Sequence, residues 1–166
     1  LTDDELLRRY RRYGRPIILS TGMSTLEFAD AHLFTPLGIS DRAWIPAGDY
    51  ENGGAGLALR TEDAAKLGIL FINGGTYDGE YVVSKYWVNR TTYPDVNNIG
   101  RFGALTDLHY GWLWWIDSGT DFQAFTAWGY GGQFIFCVPA LKIVVAVHSL
   151  WNVNGPTADQ QEMAIL

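Results

Sequence analysis

The densest chemical possibilities in the sequence lie in Ala127-Trp128-Gly129-Tyr130-Gly131-Gly132-Gln133-Phe134-Ile135-Phe136-Cys137-Val138-Pro139. Gly129, Gly131 and Gly132 are too closely spaced for a regular element, and without a Cβ each reaches positive φ freely. A strand with a glycine-rich mouth can aim backbone N–H groups at a ligand while its apolar body anchors it in a core. That arrangement suits a developing oxyanion. A β-bulge at a sheet rim accounts for the same spacing.

Other reactive residue types offer less. Cys137 is the single cysteine and sits between Phe136 and Val138. An apolar setting favours a buried structural thiol over a nucleophile, and one cysteine forms no internal disulfide. His32, His109 and His148 are far apart, with no spacing such as His-x-x-x-His, so no metal site is expected. Gly129–Gly132 follows no phosphate-cradling pattern and lacks the lysine that would complete one. Asn89-Arg90-Thr91 spells an N-glycosylation sequon, a triplet common by chance.

The elements that must position these residues belong to a globular chain. At 166 residues one domain is expected, burying roughly two-thirds of its unfolded surface. Hydrophobic residues make up 48%, against disorder, and a net charge of −6 argues against non-specific nucleic-acid binding. Arg8, Arg9, Arg11, Arg12 and Arg15 follow Asp3, Asp4 and Glu5, an order that matches a helix dipole and reads as a solvated helix face. Neither a signal-peptide pattern nor an apolar run of ~18 residues is present, so no membrane partner is expected and the compartment stays open.

In chain order, 2–13 reads as a helix capped by Thr2, and Ile17–Ser20 as a buried strand. Ser24 is expected to cap a second helix that ends before Pro36. Residues 35–56 read as a long loop packed down by Trp44 and Tyr50. Thr61 is expected to cap a helix ended by Asn73-Gly74-Gly75. Asp78-Gly79 signals a type I′ hairpin, and Ser84 caps a short helix through Val88. Residues 92–107 read as a polar loop. Segments 110–116, 122–126, 133–138 and 143–147 then predict an antiparallel meander. A C-terminal helix follows from Pro156 to Leu166, with Pro near its first position and Asp159 in its first turns.

With these pieces in place, the chain from about Thr21 onward resembles the C-terminal part of the β-lactamase and penicillin-binding-protein-like serine hydrolases. Class C β-lactamases, related esterases and 6-aminohexanoate-dimer hydrolases are the nearest in kind. The resemblance rests on Thr21-Gly22-Met23-Ser24, Phe28-Ala29, Leu33 to Ile39, Gly53 to Leu57, Asp63 to Gly68, Asn73-Gly74-Gly75, Tyr110-Gly111-Trp112 and Gly129 to Pro139, in this order and spacing. Residues 1 to about 27 instead resemble a βα unit of a sialic acid synthase barrel, through Arg15-Pro16-Ile17-Ile18-Leu19-Ser20-Thr21-Gly22-Met23-Ser24-Thr25-Leu26-Glu27. Thr21–Glu27 suits both families, so a join is expected there, dividing the chain into segments 1–27 and 28–166.

The hydrolase resemblance implies acyl transfer. A Ser in Ser-x-x-Lys attacks, a Tyr-x-Asn tyrosine helps move protons, and a third motif on a strand supplies an oxyanion N–H. Ala127-Trp128-Gly129 stands in the third motif's place, which makes the backbone N–H of Tyr130 the oxyanion donor. Trp128, Gly129, Gly131, Gly132 and Gln133 become the substrate-binding residues, with Trp128 either a wall of the site or core. Ser20, Ser24, Ser40, Ser84, Ser118 and Ser149 all lack Lys at +3, so no nucleophile is identified. Tyr50-Glu51-Asn52 spells Tyr-x-Asn but falls in the loop before Gly53-Gly54, away from the family's place for it.

The expected fold is α/β in the loose, α+β sense: a mainly antiparallel sheet flanked by helices, a partial β-lactamase-like fold. The helix at 2–13 and strand at 16–20 are expected to stand in for the family's N-terminal elements, the strand beside 142–148. The expected function is a serine-hydrolase remnant for small ester or amide substrates, inactive alone, with no cofactor. The alternative is a binding or self-association module, such as a homodimer, that uses exposed aromatic surface.

Overall fold

The computed structural model describes residues 25–47, 50–51, 55–119, 121–150 and 154–166. The expected helix at 2–13, the strand at 17–20, its pairing with 142–148, the Ser24 cap, the Tyr50 side chain, and Asn52 through Gly54 lie outside them. The segment likened to a sialic acid synthase is therefore described only from Thr25 onward. The chain divides into two compact units between Leu59 and Arg60.

In the first unit, Thr25 caps a short helix α1 (Leu26–Ala29), its hydroxyl accepting the Phe28 amide at 3.4 Å. The expected single α-helix changes character at Asp30: residues Asp30–Phe34 are π-helical, with the Thr35 amide donating back to the Asp30 carbonyl at 2.9 Å. Asp30 accepts from Arg42 Nε at 2.6 Å, and the Arg42 guanidinium lies 5.3 Å from the centre of the Phe34 ring. The expected loop over 35–56 instead holds one short ribbon and the first strand of another. β1 (Arg42–Trp44) pairs with β4 (Leu57–Leu59), and β2 (Pro46–Ala47) with β3 (Tyr50–Glu51). Trp44 packs as expected, edge-on to Phe34 at 5.9 Å, and its indole donates to the Ala55 carbonyl at 3.1 Å.

The second unit opens with α2 (Thr61–Ile72). Arg60, not Thr61, is its N-cap and gives no side-chain bond. Thr61 is already helical, and its hydroxyl lies 3.2 Å from His148 Nδ1. Its end is a Schellman motif: Gly75 donates to Leu70 at 2.8 Å and Gly74 to Phe71 at 3.0 Å, with Gly74 at φ +66. The hairpin of β5 (Thr76–Tyr77) and β6 (Glu80–Tyr81) turns through Asp78 and Gly79, both at positive φ, as type I′ requires. Ser84 caps α3 (Lys85–Thr91), accepting the Trp87 amide at 3.1 Å.

An antiparallel six-stranded sheet dominates this unit, its strands in the spatial order Ile143–Val147, Gln133–Val138, Ala124–Gly129, Trp115–Asp117, Leu105–Tyr110 and Val96–Phe102. β11 (Gln133–Val138) and β12 (Ile143–Val147) fall where the apolar, β-branched segments 133–138 and 143–147 predict them. Residues 92–107 are not a polar loop: they hold β7 (Val96–Phe102) and the start of β8 (Leu105–Tyr110). β7 is exposed along almost its whole length, so no buried face marks it in the sequence. Segment 110–116 is not one strand either. It breaks over Gly111–Trp114, where Leu113 takes φ +66, and resumes as β9 (Trp115–Asp117). β10 runs Ala124–Gly129, later than 122–126.

Trp114, Ile116, Phe125 and Cys137 form a buried cluster against which Phe71 and Ile72 of α2 pack. Gly68 permits this approach. A Cβ there would stand 2.6 Å from Val144 Cγ1 and 2.9 Å from Ile135 Cγ2. The last helix, α4 (Ala158–Ile165), begins from a capping box between Thr157 and Gln160, which leaves Pro156 before the cap instead of near the first helical position.

Candidate functional site

Among the described residues, β10 is paired on both sides only in part. Its ladder to β9 covers Ala124–Thr126, whereas its ladder to β11 covers Phe125–Gly129. The tip Ala127–Gly129 therefore runs past β9, because β9 begins only at Trp115 after the turn with positive-φ Leu113. A strand tip paired on one side keeps a backbone edge that an extended ligand can meet. Tyr130, Gly131 and Gly132 then turn the chain, with Gly131 at φ +78 and Gly132 at φ +90, and Gly129 faces Gln133 across the hairpin. The bulge alternative for these glycines gives way to a hairpin loop.

α4 holds that loop from behind. Glu162, 5% exposed, accepts the Gly131 amide at 2.7 Å and the Trp128 indole Nε1 at 2.8 Å. Gln161 donates to the Gly131 carbonyl at 2.8 Å and also to Ser149 Oγ. Gln133 Nε2 donates to the Ser149 carbonyl at 2.6 Å. Gly132 leaves room for α4: a Cβ there would stand 2.6 Å from Ile165 Cδ1. Gln161 and Glu162 lie four and three positions before Ile165, so each stacks with it along the helix.

The sequence-derived site residues thus gather at one end of the sheet. Trp128 is half-buried among Phe102, Trp115 and Phe134, with ring centres 4.7, 5.2 and 5.6 Å away. Gly131 and Gln133 spend polar groups on Glu162, Gln161 and Ser149, and the Tyr130 side chain is 71% exposed. Glu162, Gln161 and Ser149 escaped the sequence reading. Their only signal is an acid in the middle of a C-terminal helix, and its partners lie some thirty residues upstream.

Among the described residues, no group of three or more His, Cys, Asp or Glu side chains could hold a metal ion. Nor is any helix long and apolar enough to cross a membrane. His109 is 9% exposed, accepts the Asn98 amide on Nδ1 at 3.3 Å and lies 3.2 Å from Asp107 through Nε2. Cys137 is fully buried, and burial pushes its thiol up to about 12. In the sequon, Asn89 is exposed while Thr91 is buried, its hydroxyl donating to the Val88 carbonyl at 3.1 Å.

Beside the open tip, the Gly111–Trp114 turn is tied down by a charged clamp. Arg90 makes two bonds to Asp95, at 2.9 and 3.0 Å, and its guanidinium lies 5.0 Å from the centre of the Trp112 ring. Asp95 also accepts the Trp112 indole N–H. The Arg90 bonds first, and the indole second, hold the Asp95 carboxyl below the usual range.

No family model matches the chain, and no curated protein matches it in sequence. Solved structures do. A Bacillus anthracis protein classed with 6-aminohexanoate-dimer hydrolases superposes with a TM-score of 0.63 at 21% identity, over 83% of this chain and 35% of its own. An octameric penicillin-binding protein homologue from Pyrococcus abyssi gives 0.57 at 18%, over 72% and 32%. A protein from Bacteroides dorei classed as a β-lactamase gives 0.55 at 16%, over 78% and 45%. The chain thus spans about a third of the length of the first two. Its fold is β-lactamase/penicillin-binding-protein-like, over part of that fold.

Proposed function

We propose that this β-lactamase-like sheet is the oxyanion side of an acyl-transfer site for small esters or amides, and that the chain alone does not complete the reaction. The observation behind this reading is the tip of β10. Ala127–Gly129 extends past β9, and the glycine loop that follows is fixed by Glu162. In this reading the Tyr130 N–H stabilises the carbonyl oxygen as it gains charge, and the strand edge aligns the acyl group. The absence of a lysine at position 127 favours an ester or amide over a β-lactam carboxylate.

No serine in the sequence has Lys at +3. Among the described residues, Ser149 Oγ is engaged by Gln161, and Ser84 Oγ by the Trp87 amide. Without a nucleophile, serine proteases lose on the order of 10⁶ in rate, and the remainder comes from the oxyanion hole and binding. The test is hydrolysis of p-nitrophenyl acetate and nitrocefin by the purified chain. No turnover above background is expected; saturable turnover that survives further purification would contradict the reading.

A further inference from the structure

A second concave site lies at the other end of the sheet, and nothing in the acyl-transfer reading uses it. It is a cleft of about 380 Å³ between the end of α2, one face of α3, the start of β10 and the turn after β11. Phe125 and Gly129 bound the two ends of the β10–β11 ladder, so cleft and glycine loop are separated by about 13 Å of strand. The volume falls within the ordinary range for small-molecule sites.

The lining divides by chemistry. Phe71, Ile72, Val88, Phe125 and Pro139 supply apolar wall. Phe71 is held rigid there, with ring centres 4.7 Å from Trp114 and 6.4 Å from Phe125. Asn73, Lys85, Asn89 and Thr92 supply the polar groups. Lys85, Val88, Asn89 and Thr92 follow the spacing of one helix face, so α3 presents them together. The Lys85 stem runs past Gly74: a Cβ on Gly74 would stand 3.7 Å from Lys85 Cγ and 3.8 Å from Cδ.

Among the described residues, Lys85 is the only ionisable one in the lining, so the charge they bring to this cleft has one sign. Among the described residues, the Lys85 ammonium and the Asn73 and Asn89 carboxamides have no hydrogen-bond or ion-pair partner. The Thr92 hydroxyl already donates to the Val88 carbonyl at 2.9 Å, so the donors left for a ligand are one ammonium and two amides. Against an anion stands the negative end of α2, but its carbonyls at Ile69, Leu70 and Phe71 are already engaged by the Asn73, Gly75 and Gly74 amides. A full charge on Lys85 outweighs the residual partial charge.

We infer that this cleft binds a small carboxylate with an apolar body, the carboxylate at Lys85 with Asn73 or Asn89 and the body against Phe71 and Pro139. The test is an amide-resolved NMR titration of the full chain with 4-phenylbutyrate, 4-phenylbutylamine and 4-phenylbutanol. The carboxylate is expected to give saturable shifts at Asn73, Gly74 and Asn89 and to leave Tyr130–Gln133 unmoved. Lys85→Gln, at an exposed position, should weaken it roughly five- to ten-fold. Asn89→Trp, which fills the mouth from an exposed helix position, should abolish saturation. Amine or alcohol binding as tightly as the carboxylate, shifts centred on the glycine loop, or no saturable shift at all would overturn the inference.

Discussion

The Trp128 indole and the Gly131 amide donate to the same carboxylate, that of Glu162, at 2.8 and 2.7 Å. One buried side chain of the last helix therefore fixes both the strand tip and the loop after it. Glu162→Ala leaves two donors without an acceptor, each costing about 1–3 kcal/mol, so a loss of about 2–6 kcal/mol is expected in urea unfolding. Glu162→Gln keeps one acceptor and should cost about half as much. In a Trp128→Phe background that cost should shrink by about 1 kcal/mol, because the pair is coupled.

Gly68 faces Val144 and Ile135 at distances that leave no room for a methyl. Alanine is normally worth about 1 kcal/mol over glycine inside a helix, yet overpacking against stiff β-branched side chains costs about 1–3 kcal/mol. Gly68→Ala is thus expected to destabilise by up to about 2 kcal/mol. A stabilised variant in thermal or urea unfolding would show that α2 and β12 are less tightly packed than described.

Burial holds the Cys137 thiol up near 12, whereas an unfolded thiol ionises near ~8.5. The folded state therefore keeps a proton that the unfolded state sheds. The resulting stabilisation is complete below pH ~8.5 and is lost as pH rises through about 12. At pH 8 the folded chain should not react with a disulfide reagent in the time urea-unfolded chain reacts fully. The stability difference between the wild-type chain and Cys137→Ala should narrow from pH ~9 upward. Rapid modification of the folded protein would count against a buried thiol.

Asp95 behaves in the opposite sense, its carboxyl held low by Arg90 and then by the Trp112 indole. Its contribution is present above the usual value of 3.8 and disappears as pH falls through the lowered one. The Trp112 indole proton resonance should stay at its neutral-pH position down to about pH 4 and move only below. In Asp95→Asn it should already be displaced at pH 7. An unchanged resonance in that variant would mean the clamp does not hold the Gly111–Trp114 turn.

What could be read from the residues, and what could not, follows from where each signal sits. Asp78-Gly79, Asn73-Gly74-Gly75 and Ser84 act through their own backbone conformations or caps, and each does locally what its chemistry dictates. β11 and β12 carry their apolar residues without interruption. β7 announces nothing, because its residues face solvent and Asn98 and Gly100 take positive φ along an irregular ladder to β8. The strand expected over 110–116 fails at a tertiary bond: the Trp112 amide is drawn to the Thr91 carbonyl at 2.9 Å. The tip of β10 was legible from its glycines. Glu162 was not, since a single acid in a helix does not name partners more than thirty residues away.

Intact-mass analysis after incubation with a fluorophosphonate probe tests the central claim most directly. Without an activated serine, the mass should stay at that of the untreated chain while a serine hydrolase control is fully labelled. A single stoichiometric adduct on one serine of this chain would contradict the account and show that the chain carries an activated nucleophile.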